Sequence, residues 1–334
     1  MRILFFGGTG NISAQCAALL YGRGHEILVV SRGRSTVPPE YRTIRADRKD
    51  VAALRAALGG VQLDVVINFL GYEVADVETD YELFKDSVRQ YIFISAATVY
   101  EKPPPRLPIT EDAPLGNVWW DYARKKLDCE HWLRQRWEEG HFPVTIVRPS
   151  HTYSKRWIPN PVSSGSYSFA ARLEQGKPVF VPDAGENPWT QTAASDFAVG
   201  LGGLVGKTEA LGEAFHITSG EVLTWNKIYA EITMALGAKS PEIVKVPTDF
   251  ICQVAPSLTG TLKGDKAYPG VFDNSKIKRF VPEFQCRKPF RAGVRESVVW
   301  LRTHPEQQNL NPQVDAMCDA VIAAWRNQGN PAAL

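Results

Sequence analysis

The chain has 334 residues, 44% of them apolar and 22% charged, with a formal net charge of +2. That length and balance suit a globular protein with one large domain or two unequal ones, and the near-neutral charge gives no electrostatic case for a nucleic-acid or membrane surface as the main partner. No apolar run approaches the ~20 residues needed to cross a bilayer. Five scattered cysteines without a Cys-x-x-Cys pair read as reduced thiols, and the N-terminus runs straight into an apolar stretch, so the expectation is a cytoplasmic protein without a signal peptide. The six histidines show no metal-site spacing.

Arg2-Ile3-Leu4-Phe5-Phe6 reads as a strand and runs into Gly7-Gly8-Thr9-Gly10. Behind it Ile12, Cys16, Leu19 and Leu20 fall on one helical face, closed by Gly22 and Gly24, before a second strand, Glu26 to Val30. A strand, tight turn and helix of this kind bring bare backbone N–H groups and the positive end of a helix up to a pyrophosphate, which a side chain at Gly7 or Gly10 would block. Gly7, Thr9, Gly10, Asn11 and Ile12 are therefore candidate cofactor contacts. The spacing Gly7-x-x-Gly10-x-x-Ser13 departs from G-x-G-x-x-G in its last position, where a small serine still permits close packing of helix on strand.

The second strand ends in Ser31-Arg32-Gly33-Arg34-Ser35. NAD-preferring enzymes place an acid here to hold the ribose 2′-hydroxyl. This chain has none. Ser31, Arg32, Arg34 and Ser35 offer hydroxyls and guanidinium groups suited to a 2′-phosphate, so NADP is expected, with NAD as the alternative.

Tyr41 to Asp47 reads as a short third strand. Its Asp47 stands either where an acid accepts from an adenine amine or as the cap of the helix Val51 to Leu58. Asp64 to Gly71 is an uninterrupted apolar strand of the kind buried on both faces of a parallel sheet, and its end adds Leu70 and Gly71 to the cofactor edge. A helical stretch, Tyr72 to Gln90, leads to a fifth strand, Tyr91 to Ser95. The sixth is Val144 to Pro149, with Pro149 at the same edge. Alternation of this kind predicts a doubly wound, Rossmann-type parallel α/β sheet over residues 1–153, with the cofactor at the carboxyl ends of the strands.

Between the last two strands, a helix running to about Glu139 carries Tyr122 and Lys126, four residues apart and so on one face. A phenol with a pKa near 10 is a poor acid or base at neutral pH, and an ammonium beside it favours the phenolate. Such a pair is a candidate for moving a proton to or from a substrate oxygen, with Lys126 also a cofactor contact at the nicotinamide ribose.

Taken together, Gly7 to Ile12, Ser95-Ala96-Ala97-Thr98-Val99-Tyr100, Tyr122 with Lys126, Arg148 to Tyr153 and Ser195-Asp196-Phe197-Ala198 resemble an extended short-chain dehydrogenase/reductase of the NAD(P)-dependent epimerase/dehydratase type, over about residues 1 to 303. The resemblance implies a Rossmann-type domain, a smaller C-terminal α/β substrate domain, and a homodimer paired through the helices around 72–90 and 122–139. It also implies a catalytic Ser or Thr where this chain has Ala96. Thr98 shares the parity of Ala96 on an extended chain and is expected to assist, whereas Ser95 points the other way. Ala97 and Thr98 stand where 4,6-dehydratases carry an acidic pair, which argues against dehydration. The incomplete trio also resembles atypical members, such as the chloroplast stem-loop-binding proteins, some of which retain only cofactor binding.

The substrate side is expected mainly from residues 154–304, with about 190–220 returning to the first domain and 305–334 forming a helical tail. His151 is there to donate to substrate or to pair with backbone. Tyr153 and Trp157, in a polar, proline-rich segment, are either pocket walls or core. Arg172 and Trp189 complete the expected lining. Asp196 and Thr224 read as helix caps, the second helix ending at Gly237. The function expected is an NADP-dependent oxidoreductase or epimerase acting on a secondary alcohol or ketone of a small polar molecule. The other reading is a cofactor-binding protein without redox turnover, whose ligand state signals or whose surface binds RNA, although the near-neutral charge counts against a nucleic-acid partner.

Overall fold

The computed structural model describes residues 1–34, 36–163 and 165–328. Ser35, one of the expected phosphate contacts, lies outside the described residues. The strands are β1 (Arg2–Phe6), β2 (Glu26–Ser31), β3 (Arg42–Arg45), β4 (Val65–Asn68), β5 (Gln90–Ile94) and β6 (Val144–Pro149), joined by a seventh, Ala214–Ile217. They form one seven-stranded sheet in the order β3, β2, β1, β4, β5, β6 and Ala214–Ile217, with every neighbouring pair parallel. Strand order reverses beside β1, so the crevice at its carboxyl end is where such a sheet leaves room for a ligand.

Helices α1 (Ser13–Gly22), α2 (Val51–Leu58), α3 (Val74–Phe84) and α4 (Asp121–Gly140) link the first six strands. One face of the sheet buries Ile3, Phe5 and Val29 with Cys16 and Leu20 of α1 and Phe197 and Leu201 of the later helix Ala194–Leu204. The other buries Leu4, Phe6, Val66 and Phe93 with Leu54, Val77 and Leu133 of α2, α3 and α4. Each fully buried side chain of this type contributes about 1.5–3 kcal/mol, which is why the central strands are apolar without alternation.

Two elements differ from expectation. The stretch Tyr72 to Gln90 is helical only over Val74–Phe84, opened by a capping box in which Asp76 Oδ2 accepts the Glu73 N–H. Gly71 and Tyr72 stay outside the helix; Tyr72 lines a cavity beside the sheet, whereas Gly71, expected as a cofactor contact, is on the wall of neither cavity flanking the glycine turn and packs against Asn68 and Phe93. Asp196 is no cap: its helix begins at Ala194, and Asp196 Oδ2 accepts the Lys288 backbone N–H at 2.9 Å. Thr224 does cap Trp225–Leu236, accepting from the Lys227 N–H at 3.2 Å, and Gly237 ends that helix at φ +61°.

Beyond β6, a separate core gathers Tyr153, Phe169, Trp189, Trp225, Tyr229 and Phe290. The tail is a helix, Pro312–Asn327, whose Cys318, Val321 and Ile322 pack with Phe180 and Val246. No described helix is long and apolar enough to cross a membrane.

Candidate active site

The turn after β1 is built to stay open. Gly7 sits at φ +88°, and a Cβ there would meet Leu70 at 2.9 Å. Ser13 does more than permit close packing: its hydroxyl donates to the Gly7 carbonyl and accepts the Gly10 N–H at 2.9 Å, fastening the loop across itself. Asn11 is engaged as well, its amide donating to the Thr152 carbonyl and its oxygen accepting from Ser154 Oγ at 2.6 Å. The turn is thereby pinned to the segment after β6. No side chain caps the N-terminus of α1; the Ala14 and Gln15 N–H groups turn back onto the Gly10 and Ile12 carbonyls at 3.2 Å, and those of Asn11, Ile12 and Ser13 have no partner among the described residues and are left for an anion.

On one side of this turn lies a cavity of about 420 Å³ walled by Phe6, Val30, Arg32, Asp47, Lys49 and Leu70, among others. Asp47 belongs to it and is not the cap of α2; Asp50 is, accepting the Ala53 N–H at 2.9 Å. Arg32 Nη1 stands 3.8 Å from Asp47 Oδ2, half exposed, and Gly33 at φ +81° lies against the Arg45 guanidinium. Ser31 Oγ accepts the Gly33 N–H at 3.1 Å. Arg34 is exposed and not on the wall.

On the other side is a second cavity of about 350 Å³, whose wall includes Ile12, Ala96, Thr98, Tyr122, Pro149, His151, Trp157 and Trp189. The parity argument for Thr98 fails in detail, because Ala97–Val99 is a 3₁₀ turn and not extended chain. The turn nevertheless delivers Thr98 to the wall, buried, with its hydroxyl unpartnered. Asn117 fixes the turn by donating to the Thr98 carbonyl at 2.7 Å. Ser95 is buried off the wall.

Lys126 is 2% exposed and donates to the carbonyls of Gly71 at 2.6 Å and Ile94 at 2.7 Å. Burial pulls its pKa down to about 8, against weaker opposition from Cys129, Glu130 and Asp76. Its Nζ lies 5.9 Å from the Tyr122 ring centre, against the ring and not on the hydroxyl. The expected depression of the Tyr122 pKa is accordingly absent: burial pushes the phenol well up, with Tyr72 and Asp265 adding to the rise. Burial thus keeps the Tyr122 phenol protonated. His151 is kept neutral by burial, with Lys266 adding to the effect. Gln191 Nε2 lies 3.1 Å from its Nδ1; with the amide donating, the ring proton sits on Nε2, which has no partner.

Two expected lining residues lie elsewhere. Tyr153 is buried one pleat farther along, its ring 5.5 Å from Phe290 and its hydroxyl over Gly293. Arg172 is 1% exposed and clamps the C-terminal helix, bonding Asp315 at 2.5 Å, Asp319 at 2.7 Å and the Pro178 carbonyl at 2.9 Å. Asp315 and Asp319, four residues apart in the tail and so on one helix face, are the signal from which this pairing could have been read. Asn117, Asp265 and Lys266 were missed, since nothing local marks them.

A sequence model of the NAD dependent epimerase/dehydratase family matches residues 3–216. The chain belongs to that family. Among its relatives, the 2'-dehydrokanamycin reductase of Streptomyces kanamyceticus is 26% identical over 90% of this chain and 84% of its own length. The chloroplast stem-loop binding protein of 41 kDa b from Arabidopsis thaliana is 27% identical over 75% of this chain and 67% of its own. The UDP-glucose 4-epimerase of Bifidobacterium longum, solved with NAD+ and UDP, superposes with a TM-score of 0.74 at 19% identity, covering 92% of this chain and all of that one. At that identity the likeness is one of fold.

Proposed function

We propose that the protein is an NADP-dependent oxidoreductase that interconverts a ketone and a secondary alcohol on a small polar molecule. The observation that carries this reading is the placement of Tyr122 and Thr98 on the wall of one cavity, with Lys126 behind them, on the far side of the glycine turn from the arginine-bearing cavity. A dinucleotide laid across the turn fits both, because Gly7 lets the backbone pass close under Leu70 at φ +88° and the N–H groups of Asn11, Ile12 and Ser13 have no partner among the described residues. Arg32, with Arg45 and Lys49 nearby and no acid at the end of β2, supports the 2′-phosphate form.

Gly7 to Ile12 and Arg32 would hold NADPH, which when bound would supply the hydride chemistry for a carbonyl. Tyr122, protonated in its buried setting, gives its hydroxyl proton to the oxygen of the ketone as that oxygen becomes an alcohol. Solvent returns the proton afterwards. Thr98, whose hydroxyl is free, donates to the same oxygen in place of the hydroxyl missing at Ala96. Lys126, locked on two carbonyls, supports the charge left on Tyr122. Burial holds the phenol protonated, the form from which a proton is given in reduction. We further read the assembly as a homodimer paired through α3 and α4; a monomeric mass by sedimentation would remove that part.

Ala96 supports the second reading, a cofactor-binding member without turnover. Purified protein separates the two: NADPH oxidation with ketone substrates, lost in Tyr122→Phe while NADPH still binds, supports the enzyme. Tight binding with no turnover of any ketone, alcohol or sugar supports the other.

A further inference from the structure

The cavity around Tyr122 has a second end, made by a segment far away in sequence. The turn Leu262–Lys266 is a π-type turn held from two sides: Asn117 Nδ2 donates to the Gly264 carbonyl at 2.6 Å, and the Trp225 indole donates to the Lys266 carbonyl at 3.0 Å. Glycines at 260 and 264 let it settle on Trp120, since a Cβ at either would come within 2.6 or 2.8 Å of that residue. The turn delivers Asp265 and Lys266 to the wall.

Lys266 Nζ is 3.5 Å from Asp265 Oδ2, and Lys102 Nζ is 3.8 Å from Asp265 Oδ1. The two lysine side chains are only 5% and 1% exposed, so two cations share one carboxylate in a poorly solvated place. Burial depresses the Lys102 pKa, as befits an ammonium short of compensating charge. Most other polar groups on the wall can donate. His151 Nε2, Trp157 Nε1, Trp189 Nε1 and the hydroxyls of Thr98 and Thr190 are all buried without a partner, Trp189 and Thr190 being 3% and 1% exposed. Buried polar groups are normally paired, so a wall of idle donors beside surplus positive charge describes the missing partner. It is anionic and rich in acceptors.

We propose that the substrate carries a carboxylate or phosphate on a body of single-ring size, and that Lys266 receives this group, with Lys102 strengthening the field from behind and His151 donating to it. The inference rests on the oxidoreductase reading of the same cavity. A volume of about 350 Å³ sits at the small end of ligand sites. The indoles of Trp120, Trp157 and Trp189 supply flat apolar walls for the C–H face of such a ring.

The test follows tryptophan fluorescence of the NADP-saturated protein during titration with glucuronate, glucose 6-phosphate and glucose. At least one of the two anions should bind about tenfold or more tightly than glucose, as a charge-assisted contact implies. Whichever anion binds more tightly identifies carboxylate or phosphate as the group received. Lys266→Met should erase the preference and Lys266→Arg should keep it, with NADP affinity unchanged in both as the sign of an intact fold. No response to either anion, equal affinity for glucose, or a preference that survives Lys266→Met would overturn the proposal. Failure of the wild-type protein to bind NADP would instead sink the enzymatic reading beneath it.

Discussion

The two cavities flanking the glycine turn are made in opposite ways. The arginine-bearing one is built mostly from the ends of β1, β2, β3 and β4 and the residues just after them, all within the first 76 residues. The one holding Tyr122 takes pieces from near residues 12, 97, 121, 150, 189 and 265. A site made of consecutive strand ends changes little when distant loops change. A site gathered from six places is free to be refitted one piece at a time, which is how one fold comes to serve many substrates.

That contrast is sharpened most strongly by Tyr122→Phe, which should lower kcat for ketone reduction by about 10²–10⁴-fold with NADPH affinity intact in a fluorescence titration. Equal loss of binding would mean that the two ends are not separable. Next in size, Gly7→Ala forces a side chain onto a backbone at φ +88° and against Leu70. At about 1–3 kcal/mol of strain, cofactor affinity should fall tenfold or more while the far cavity keeps its shape. Arg32→Ala should weaken NADP by about tenfold, a modest figure for a half-exposed guanidinium, and leave NAD unchanged; isothermal titration with both would show it, and equal loss for the two would remove the 2′-phosphate reading.

The pH profile gives a smaller effect. Lys126, with its pKa at about 8 against an ordinary 10.5, loses its charge as pH rises. The ratio kcat/KM for reduction should therefore decline above about pH 8. Stability should move the other way: the folded state holds fewer protons than the unfolded chain between about 8 and 10.5, so this residue's contribution to folding improves across that window, and Lys126→Met should flatten both trends in activity assays and thermal melts.

What could be read from the sequence follows the same division. The strands, the parallel sheet and the open turn were legible because apolar runs and glycines act locally, and of the two readings left open for Asp47 the structure keeps the cavity wall, with Asp50 capping α2. Thr98 reached the wall by a 3₁₀ turn that strand parity does not describe. Arg172 misled because an arginine near aromatic residues suggests a ligand, while its true partners stand 143 and 147 positions away. Lys266 had no local mark at all, since its role comes from Trp225 and Asn117 holding its turn in place.

One amide, that of Asn117, holds the carbonyl of Thr98 and the carbonyl of Gly264 together. The turn that carries Thr98 and the turn that carries Lys266, on two sides of one cavity, therefore share a single strut. A shift of either turn stretches a hydrogen bond that also holds the other, so the positions of Thr98 and of Lys266 are mechanically tied.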